Sequence, residues 1–194
     1  MKIENYNIKL GNKVFVIAEI GMNHNGSFSR AKKLIDHAAA MKVDCVKFQM
    51  RNLKELYSKD ALDISSGDLS TQYTINLLKK FELSLGEFKK LSKYAKSKNL
   101  IFMCTPWDKK SVDTLEKLNV PAYKIASADL TNTDLIDYIL KTKKPIILST
   151  GMSNEKEIDI TVKQLKSKKA TFALLHTNST YPTPLKDINL NYID

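Results

Sequence analysis

Short apolar runs alternate with amphipathic segments along this 194-residue chain, and this alternation constrains the fold more than any other feature. The runs favour β-branched and aromatic residues and are too short for ordinary helices. The six runs are VFVIAEIG, DCVKFQM, LIFMCTP, PAYKIAS, PIILSTG and TFALLHT, which begin at Val14, Asp44, Leu100, Pro121, Pro145 and Thr171. Because they are almost continuously apolar, they predict parallel β-strands covered by helices.

The segments between the runs have the periodicity of helices with one buried face. SRAKKLIDHAAAMK places Ala31, Leu34 and Ala38 on one stripe, and SLGEFKKLSKYAKSK opens with Ser84 and Glu87 at capping-box spacing. The same pattern recurs in SVDTLEKLN, NTDLIDYILKT and EIDITVKQLKSK. Such a chain folds into an open doubly wound sheet or a (β/α)₈ barrel. About six strand–helix units are present, fewer than the eight of a closed barrel.

Two segments lie outside the alternation. Residues 1–13 predict a small N-terminal β-hairpin that turns at Gly11–Asn12, and residues 14–194 are then a partial barrel domain. We predict that the connection from Asn52 to Phe81 is a long, polar and irregular loop. Loops of that length in compact domains are usually functional.

Composition argues against several classes of protein. No apolar run approaches the roughly 18 residues of a membrane-spanning helix, and the start, MKIENYNIKL, lacks the apolar core of an export signal. Cys45 and Cys104 lie in apolar stretches and predict buried thiols in a cytoplasmic protein. The net charge of +10 is spread over helix faces. We therefore predict neither a nucleic-acid nor a membrane partner.

Each apolar run ends in polar residues. The carboxyl ends of parallel strands lie on the same face of a sheet, where α/β folds bind ligands. We therefore expect these residues to form one site. The candidates are Glu19, Asn23, His24, Lys47, Gln49, Thr105, Lys124, Ser127, Asp129, Ser149, Ser179 and Tyr181.

The types of these residues indicate an anionic ligand. Lys47 and Lys124 stand inside strands, where a charged lysine is costly unless it meets an anion. Glu19 and Asp129 are suited to proton transfer or to stabilising a cationic transition state. The hydroxyls that could donate to a phosphate or carboxylate belong to Thr105, Ser127 and Ser149.

Several candidates also have a purely structural interpretation. A strand lysine can simply pair with a buried carboxylate. Asp129 can mark the start of a helix, for which Thr131 and Asp134 offer a cap. His24 can be a loop residue satisfied by the backbone, and Tyr181 can anchor the turn that follows it.

Six ordered blocks resemble the sialic acid synthase family of nonulosonate synthases: IAEIGMNHNGS, VKFQ, CTPWD, PAYKIASADLTN, KPIILSTGM and LLHTNSTYPTP. The resemblance extends from Val14 to Asp194. It implies a TIM barrel that condenses phosphoenolpyruvate with an N-acetylated amino sugar, such as N-acetylmannosamine, for surface-polysaccharide synthesis. It also implies a divalent metal, Mn²⁺ or Mg²⁺, and a homodimer of the full-length protein.

The resemblance also implies a role for each candidate. Lys47 and Lys124 would neutralise the carboxylate and phosphate of phosphoenolpyruvate, assisted by the three hydroxyls. Glu19 would transfer a proton near the sugar, and Asp129 would stabilise the cationic centre or handle water. The residues implied to bind and position the substrates are Asn23, His24, Gln49, Ser179 and Tyr181.

The chain departs from the family pattern in three places. Ala128–Asp129 stands where Gly-Glu or Gly-Asp is common. Thr177 follows His176 in place of cysteine, and Ser179 stands where some members have asparagine. The family's two metal-binding histidines and its small antifreeze-like domain would lie beyond Asp194, so we expect no metal site in this chain and an incomplete barrel. A 3-deoxy-2-ulosonate phosphate synthase and a non-catalytic fragment with a partial anion pocket stay open as alternatives.

Overall fold

The computed structural model of the protein describes residues 1–63 and 69–193. The chain forms two compact units: Leu10–Pro121, and Met1–Lys9 together with Ala122–Asp194. The strands are β1 (Lys2–Ile3), β2 (Tyr6–Asn7), β3 (Ile17–Gly21), β4 (Cys45–Met50), β5 (Ile101–Pro106), β6 (Tyr123–Ile125), β7 (Ile146–Ser149) and β8 (Phe172–Leu175). The helices are α1 (Phe28–Ala40), α2 (Leu53–Leu56), α3 (Lys59–Asp63), α4 (Leu69–Phe81), α5 (Leu85–Ser97), α6 (Lys109–Lys117), α7 (Thr133–Leu140) and α8 (Glu155–Ser167). All six predicted strands and all five predicted helices are present.

The larger unit is built on β3, β4 and β5, which pair in parallel. Helices α1 and α5 pack against each other, and α5 and α6 pack against β5. Ser84 begins α5 with the predicted capping box, in which its side chain accepts from Glu87 N and its backbone N donates to Glu87. The central strand of this unit is β4, and its apolar side chains face the helices. There Phe48 stacks on Phe102 with ring centroids 5.3 Å apart and meets Phe88 of α5 edge-on.

The alternation of β4 determines which side chains are available to a ligand. Successive residues of a strand point to opposite faces. Lys47 and Gln49 therefore point away from the face that carries Phe48. In the register of the sheet, Lys47 lies beside Glu19 on β3, and Gln49 lies beside Thr105 on β5. Three neighbouring strands thus place polar side chains together near their carboxyl ends.

The smaller unit is built on β6, β7 and β8, which also pair in parallel. Its core includes the fully buried side chains of Ile136, Ile139 and Leu165, from α7 and α8. Thr161 of α8 donates its hydroxyl to Leu130 O at 2.8 Å, which attaches this helix to the turn after β6. The register places Lys124 on β6 beside Ile147 on β7.

Two predictions about the connecting segments are wrong. The N-terminal hairpin pairs β1 with β2, so it turns at Glu4–Asn5 and not at Gly11–Asn12. The connection from Asn52 to Phe81 is largely helical, since it contains α2, α3 and α4; residues 64–68 lie outside the described residues. Asp108 fixes the start of this connection, because its Oδ2 accepts from Asn52 N at 2.6 Å. Its Oδ1 accepts from Ser111 N and caps α6.

Cys45 and Cys104 are both buried thiols, as predicted. Among the helices in the described ranges, none has the length and apolar character that crossing a membrane requires.

Candidate functional site

The candidate residues of the larger unit centre on Lys47. This residue is 8% exposed. Its ammonium forms an ion pair with Glu19 on one neighbouring strand and donates to Thr105 Oγ1 on the other at 3.3 Å. The Glu19 side chain is 46% exposed, so solvent and small molecules can reach its carboxylate. The pairing predicted by the structural interpretation of a strand lysine is therefore present, and its acid is the proposed proton-transfer group.

Gln49 stands next to this ion pair. Its Oε1 accepts from Arg51 Nη2 at 2.7 Å. A Cβ placed on Gly21, where φ is +52°, would lie 3.0 Å from Glu19 Oε1 and 3.3 Å from Gln49 Nε2. Glycine at this position therefore supplies both the left-handed backbone conformation and the space in which the two side chains approach the end of β3.

The turn after β3 carries Asn23 and His24. His24 is 2% exposed, and its Nδ1 accepts from Gly26 N at 3.1 Å. This bond is the backbone contact that the structural interpretation of His24 predicts. Burial lowers the pKa of the imidazole and so favours its neutral form, opposed by the charge of Glu87 and a hydrogen bond to the Gly21 backbone. Asn23 is exposed.

A cavity of about 590 Å³ lies within the larger unit. Of the predicted site residues, His24 and Gln49 line it, and α4 and α5 contribute apolar side chains such as Leu78 and Phe88. Arg51 and Glu82 add opposite charges to its wall. Burial raises the pKa of Glu82 and lowers that of Arg51. The cavity thus combines an apolar wall with a few polar groups, as ligand sites in proteins commonly do.

The candidate residues of the smaller unit centre on Lys124, which is 7% exposed. Its ammonium donates to Ser149 Oγ on β7 at 2.6 Å and to Ile125 O at 2.6 Å. As at Lys47, a buried strand lysine contacts a hydroxyl on the neighbouring strand. Two separate parts of the chain therefore build the same combination of a cation and an O–H donor.

Ser127 lies where the loop after β7 returns to the turn after β6. Its Oγ accepts from Gly151 N at 3.1 Å and lies 3.4 Å from Thr177 Oγ1. Thr177 Oγ1 in turn accepts from Thr150 N at 3.2 Å. A Cβ on Gly151 would lie 2.8 Å from Thr177 O, so this loop passes too close for a larger residue. The result is a compact set of hydroxyls and backbone N–H groups.

Asp129 ends the 3₁₀ turn Ser127–Asp129 and is 8% exposed. Its Oδ1 accepts from Asn132 Nδ2 at 3.0 Å, and Asn132 Oδ1 caps α7 by accepting from Leu135 N. The cap is therefore Asn132, and the suggestion that Thr131 provides it is wrong. In the described part of the chain Asp129 Oδ2 is buried without a hydrogen-bond partner. Burial raises the pKa of Asp129, and the bond from Asn132 opposes the shift. A carboxyl with a raised pKa binds a proton more readily than an ordinary aspartate, which suits it to accept and return one.

Ser179 and Tyr181 differ from the other candidates. Both are exposed, and Tyr181 is 99% exposed. The structure therefore leaves them outside the buried cluster around Lys124. The alternative in which Tyr181 packs to anchor its turn is also unsupported.

Three residues near these clusters were not predicted as site residues: Arg51, Glu82 and Thr177. Arg51 directly follows β4 and continues the alternation of Lys47 and Gln49, which was a usable signal. Glu82 lies at the end of a segment interpreted as an irregular loop. Thr177 was noticed only as a departure from a family pattern. In residues 1–63 and 69–193, no three His, Cys, Asp or Glu side chains come together as a metal site would require.

The comparisons with known proteins point to one family and one fold. A family model described as the NeuB family matches residues 34–194. An uncharacterized protein of Methanocaldococcus jannaschii is 42% identical over 194 residues, 100% of this chain and 54% of that protein. The N,N'-diacetyllegionaminic acid synthase of Campylobacter jejuni is 39% identical over 187 residues, 92% of this chain and 55% of that protein.

Among solved structures, the N-acetylneuraminic acid (sialic acid) synthetase of Leptospira borgpetersenii, in complex with citrate, superposes with a TM-score of 0.84 at 35% identity. The match covers 96% of this chain and 64% of that one. The predicted α/β fold of the TIM-barrel type is thereby confirmed. The chain spans about half the length of the curated relatives it matches.

Proposed function

The chain belongs to the NeuB family, and from that premise we propose that it supplies phosphoenolpyruvate-binding and catalytic residues of a nonulosonate synthase. The reaction joins C3 of phosphoenolpyruvate to the aldehyde carbon of an N-acetylated amino sugar. Water adds at C2, and phosphate leaves as its C–O bond breaks. The products are a sialic-type acid and inorganic phosphate.

The observation that carries this proposal is the pair of buried strand lysines, each next to a hydroxyl. Lys47 contacts Thr105, and Lys124 contacts Ser149. Phosphoenolpyruvate carries two anionic groups, a carboxylate and a phosphate. In the smaller unit, Lys124 and Ser149 offer one positive charge and an O–H donor, which together suit an anionic oxygen. In the larger unit the ammonium of Lys47 pairs with Glu19, so an anion that binds there competes with this carboxylate. Ser127, whose Oγ accepts from Gly151 N, lies on the loop next to the pair of Lys124 and Ser149 and adds a further hydroxyl donor.

The two carboxylates have environments suited to different proton transfers. Glu19 is partly exposed and its carboxylate pairs with Lys47; we assign it to the proton transfer next to the sugar, where the aldehyde oxygen takes up a proton as it becomes a hydroxyl. Asp129 is buried with one unpartnered oxygen among the described residues. We assign it to the water that adds at C2: Oδ2 accepts the water proton as the new C–O bond forms.

The resemblance implies Mn²⁺ or Mg²⁺, which would polarise the sugar aldehyde. The described residues provide no cluster of three metal-ligating side chains, so they do not fit a metal site by themselves. The metal, the homodimer and the cytoplasmic location stay predictions for the complete protein. The two buried cysteines are compatible with that location.

Calorimetric titration with phosphoenolpyruvate tests the anion-binding assignment. Lys47→Ala and Lys124→Ala should each weaken binding by about tenfold or more, the cost of losing a hydrogen bond to a charged group. Lys93→Ala removes the same charge from the exposed face of α5 and serves as the matched control. Unchanged affinity in both strand variants would refute the assignment.

Turnover is tested by phosphate release from phosphoenolpyruvate with Mn²⁺ and a panel of sugars. Release that requires N-acetylmannosamine or another N-acetylated amino sugar supports the proposal. Release that requires a phosphorylated aldose instead would favour the 3-deoxy-2-ulosonate phosphate synthase alternative.

A further inference from the structure

Arg51 is the third polar residue in the alternation Lys47, Gln49, Arg51 at the end of β4. Its Nη2 donates to Gln49 Oε1 at 2.7 Å, which is a short bond for this pair of groups. The chain has 31 lysines and arginines, of which only Arg30 and Arg51 are arginine. Arginine is therefore rare among the basic residues of this sequence, and one of its two occurrences directly follows β4.

A second contact fixes the guanidinium itself. Its central carbon lies 4.8 Å from the centre of the Trp107 ring, a stacking distance for arginine on an aromatic face. Trp107 is attached to the same strand, because its backbone N donates to Met50 O at 3.0 Å. Arg51 is thus held between an indole on one side and Gln49 on the other. Lysine cannot reproduce the planar stacking.

The chemistry of arginine determines which way the Gln49 amide points. A guanidinium only donates hydrogen bonds, so the atom of Gln49 that faces it must be the oxygen. The NH₂ group then faces the other way, toward the space next to Gly21 in which Glu19 Oε1 also lies. A donor and a carboxylate acceptor consequently stand side by side. A sugar hydroxyl satisfies both, since it accepts from the amide and donates to the carboxylate.

We propose that Arg51 is a positioning residue that locks the Gln49 amide with its NH₂ group beside Glu19, and thereby creates a recognition site for a hydroxyl of the sugar substrate. This inference rests on the proposed function. Without the lock, the amide can rotate by half a turn and present its oxygen. A hydroxyl has one hydrogen and would then face two acceptors, so one of them would go unsatisfied.

Steady-state kinetics of five variants of the full-length protein tests the lock. Arg51→Met keeps the apolar stem but removes the donors, and should raise the KM for N-acetylmannosamine by roughly three- to tenfold while the KM for phosphoenolpyruvate stays unchanged. Arg51→Lys still only donates, so it should retain most of the wild-type sugar KM. Gln49→Leu should match Arg51→Met, and the double variant should be no worse than Gln49→Leu alone. Arg30→Met, an exposed arginine on α1, is the matched control.

Two results would overturn the inference while leaving the proposed function intact. One is an Arg51→Met variant that raises both KM values equally or behaves like Arg30→Met. The other is a double variant whose loss is the product of the two single losses. If Arg51→Met does not fold, Arg51→Gln takes its place, because its amide can donate or accept and so removes the one-way constraint.

The side-chain amide resonances of Gln49, identified by their loss in Gln49→Leu, give a readout that needs no turnover. They should shift and exchange faster with water in Arg51→Met but not in Arg30→Met. Wild-type protein that neither binds phosphoenolpyruvate nor releases phosphate would overturn the proposed function. The amide resonances would then still decide whether the lock exists, and unaltered resonances in Arg51→Met would refute it.

Discussion

Gly26 makes the closest backbone approach of any glycine in the described chain, and its replacement gives a sharp prediction about the structure around His24. The residue has φ of +73°, and a Cβ added there would lie 2.2 Å from Lys80 O at the end of α4. The turn that carries Asn23 and His24 is therefore packed directly on the helical connection. We expect Gly26→Ala to destabilise the protein strongly.

The magnitude follows from two contributions. An alanine in the left-handed region costs about 1–2 kcal/mol. Relieving a contact about 1 Å too short between two backbone segments adds roughly 1–3 kcal/mol, the usual range for overpacking. Gly26→Ala should therefore lose about 2–5 kcal/mol of unfolding free energy.

Two other glycines of the same unit separate these contributions. Gly11 has φ of +81° with nothing within 4 Å of an added Cβ, so Gly11→Ala should lose only the conformational part. Gly86 lies in the first turn of α5, where an added Cβ would make only an ordinary contact with Ser84 Oγ at 3.9 Å, and Gly86→Ala should gain about 0.5–1 kcal/mol. Urea unfolding followed by circular dichroism measures all three. Equal losses for Gly26→Ala and Gly11→Ala would show that the turn does not contact Lys80 as described.

Three further predictions concern single side chains and use the same unfolding assay. Burial raises the pKa of Asp129, so the folded state holds its proton to higher pH than the unfolded state. The folded state therefore loses stability as pH rises from the unfolded pKa to the folded pKa. The stability of Asp129→Asn relative to wild type should increase from acidic to neutral pH, and the variant should lose phosphate release. Burial lowers the pKa of His24, so the unfolded state takes up a proton first and stability should fall on acidification through about pH 6.5, and His24→Gln should weaken this fall. Ser84→Ala removes the capping box of α5 and should lose about 1 kcal/mol.

The six strands and the helices α1, α5, α6, α7 and α8 could be predicted because burial leaves a direct pattern in the sequence, whereas the 13-residue α4 was missed. A parallel strand is covered on both faces, so its apolar run is continuous, and PIILSTG contains β7 at Ile146–Ser149. The capping box of α5 was also predictable, since it depends on two residues three positions apart. These features are local, because the residues that determine each strand or cap lie within a few positions of one another.

The errors occurred where the pattern is short or the conformation is unusual. Helices α2 and α3 have four and five residues, which is too few for a helical period to be recognised. The hairpin turns at Glu4, which adopts φ of +48° although it is not a glycine, whereas Gly11 offered the more conventional turn signal. The polar composition of the connection therefore outweighed the short helical pattern of α2 and α3, and the turn signal at Gly11 outweighed the one at Glu4.

Partners between strands were beyond local prediction for a different reason. Lys47 and Glu19 are 28 positions apart, and their pairing depends on the register of β3 against β4, which shifts between Glu19 and Gly21. The sequence indicated that both residues lie near strand ends, but not that they form an ion pair. The same holds for Arg51 and Trp107, whose stacking depends on where the chain turns after β5.

Asp129 shows that a structural and a functional interpretation can both be correct, because they use different atoms. Oδ1 supports the cap of α7 through Asn132, which the helix requires. Oδ2 is buried without a partner in the described part of the chain, and this costs stability. An asparagine would support the same cap through its own oxygen without burying a carboxylate. Folding alone therefore does not account for an aspartate here, whereas the role that we propose for it, as the proton acceptor for the water that adds at C2, requires a carboxylate.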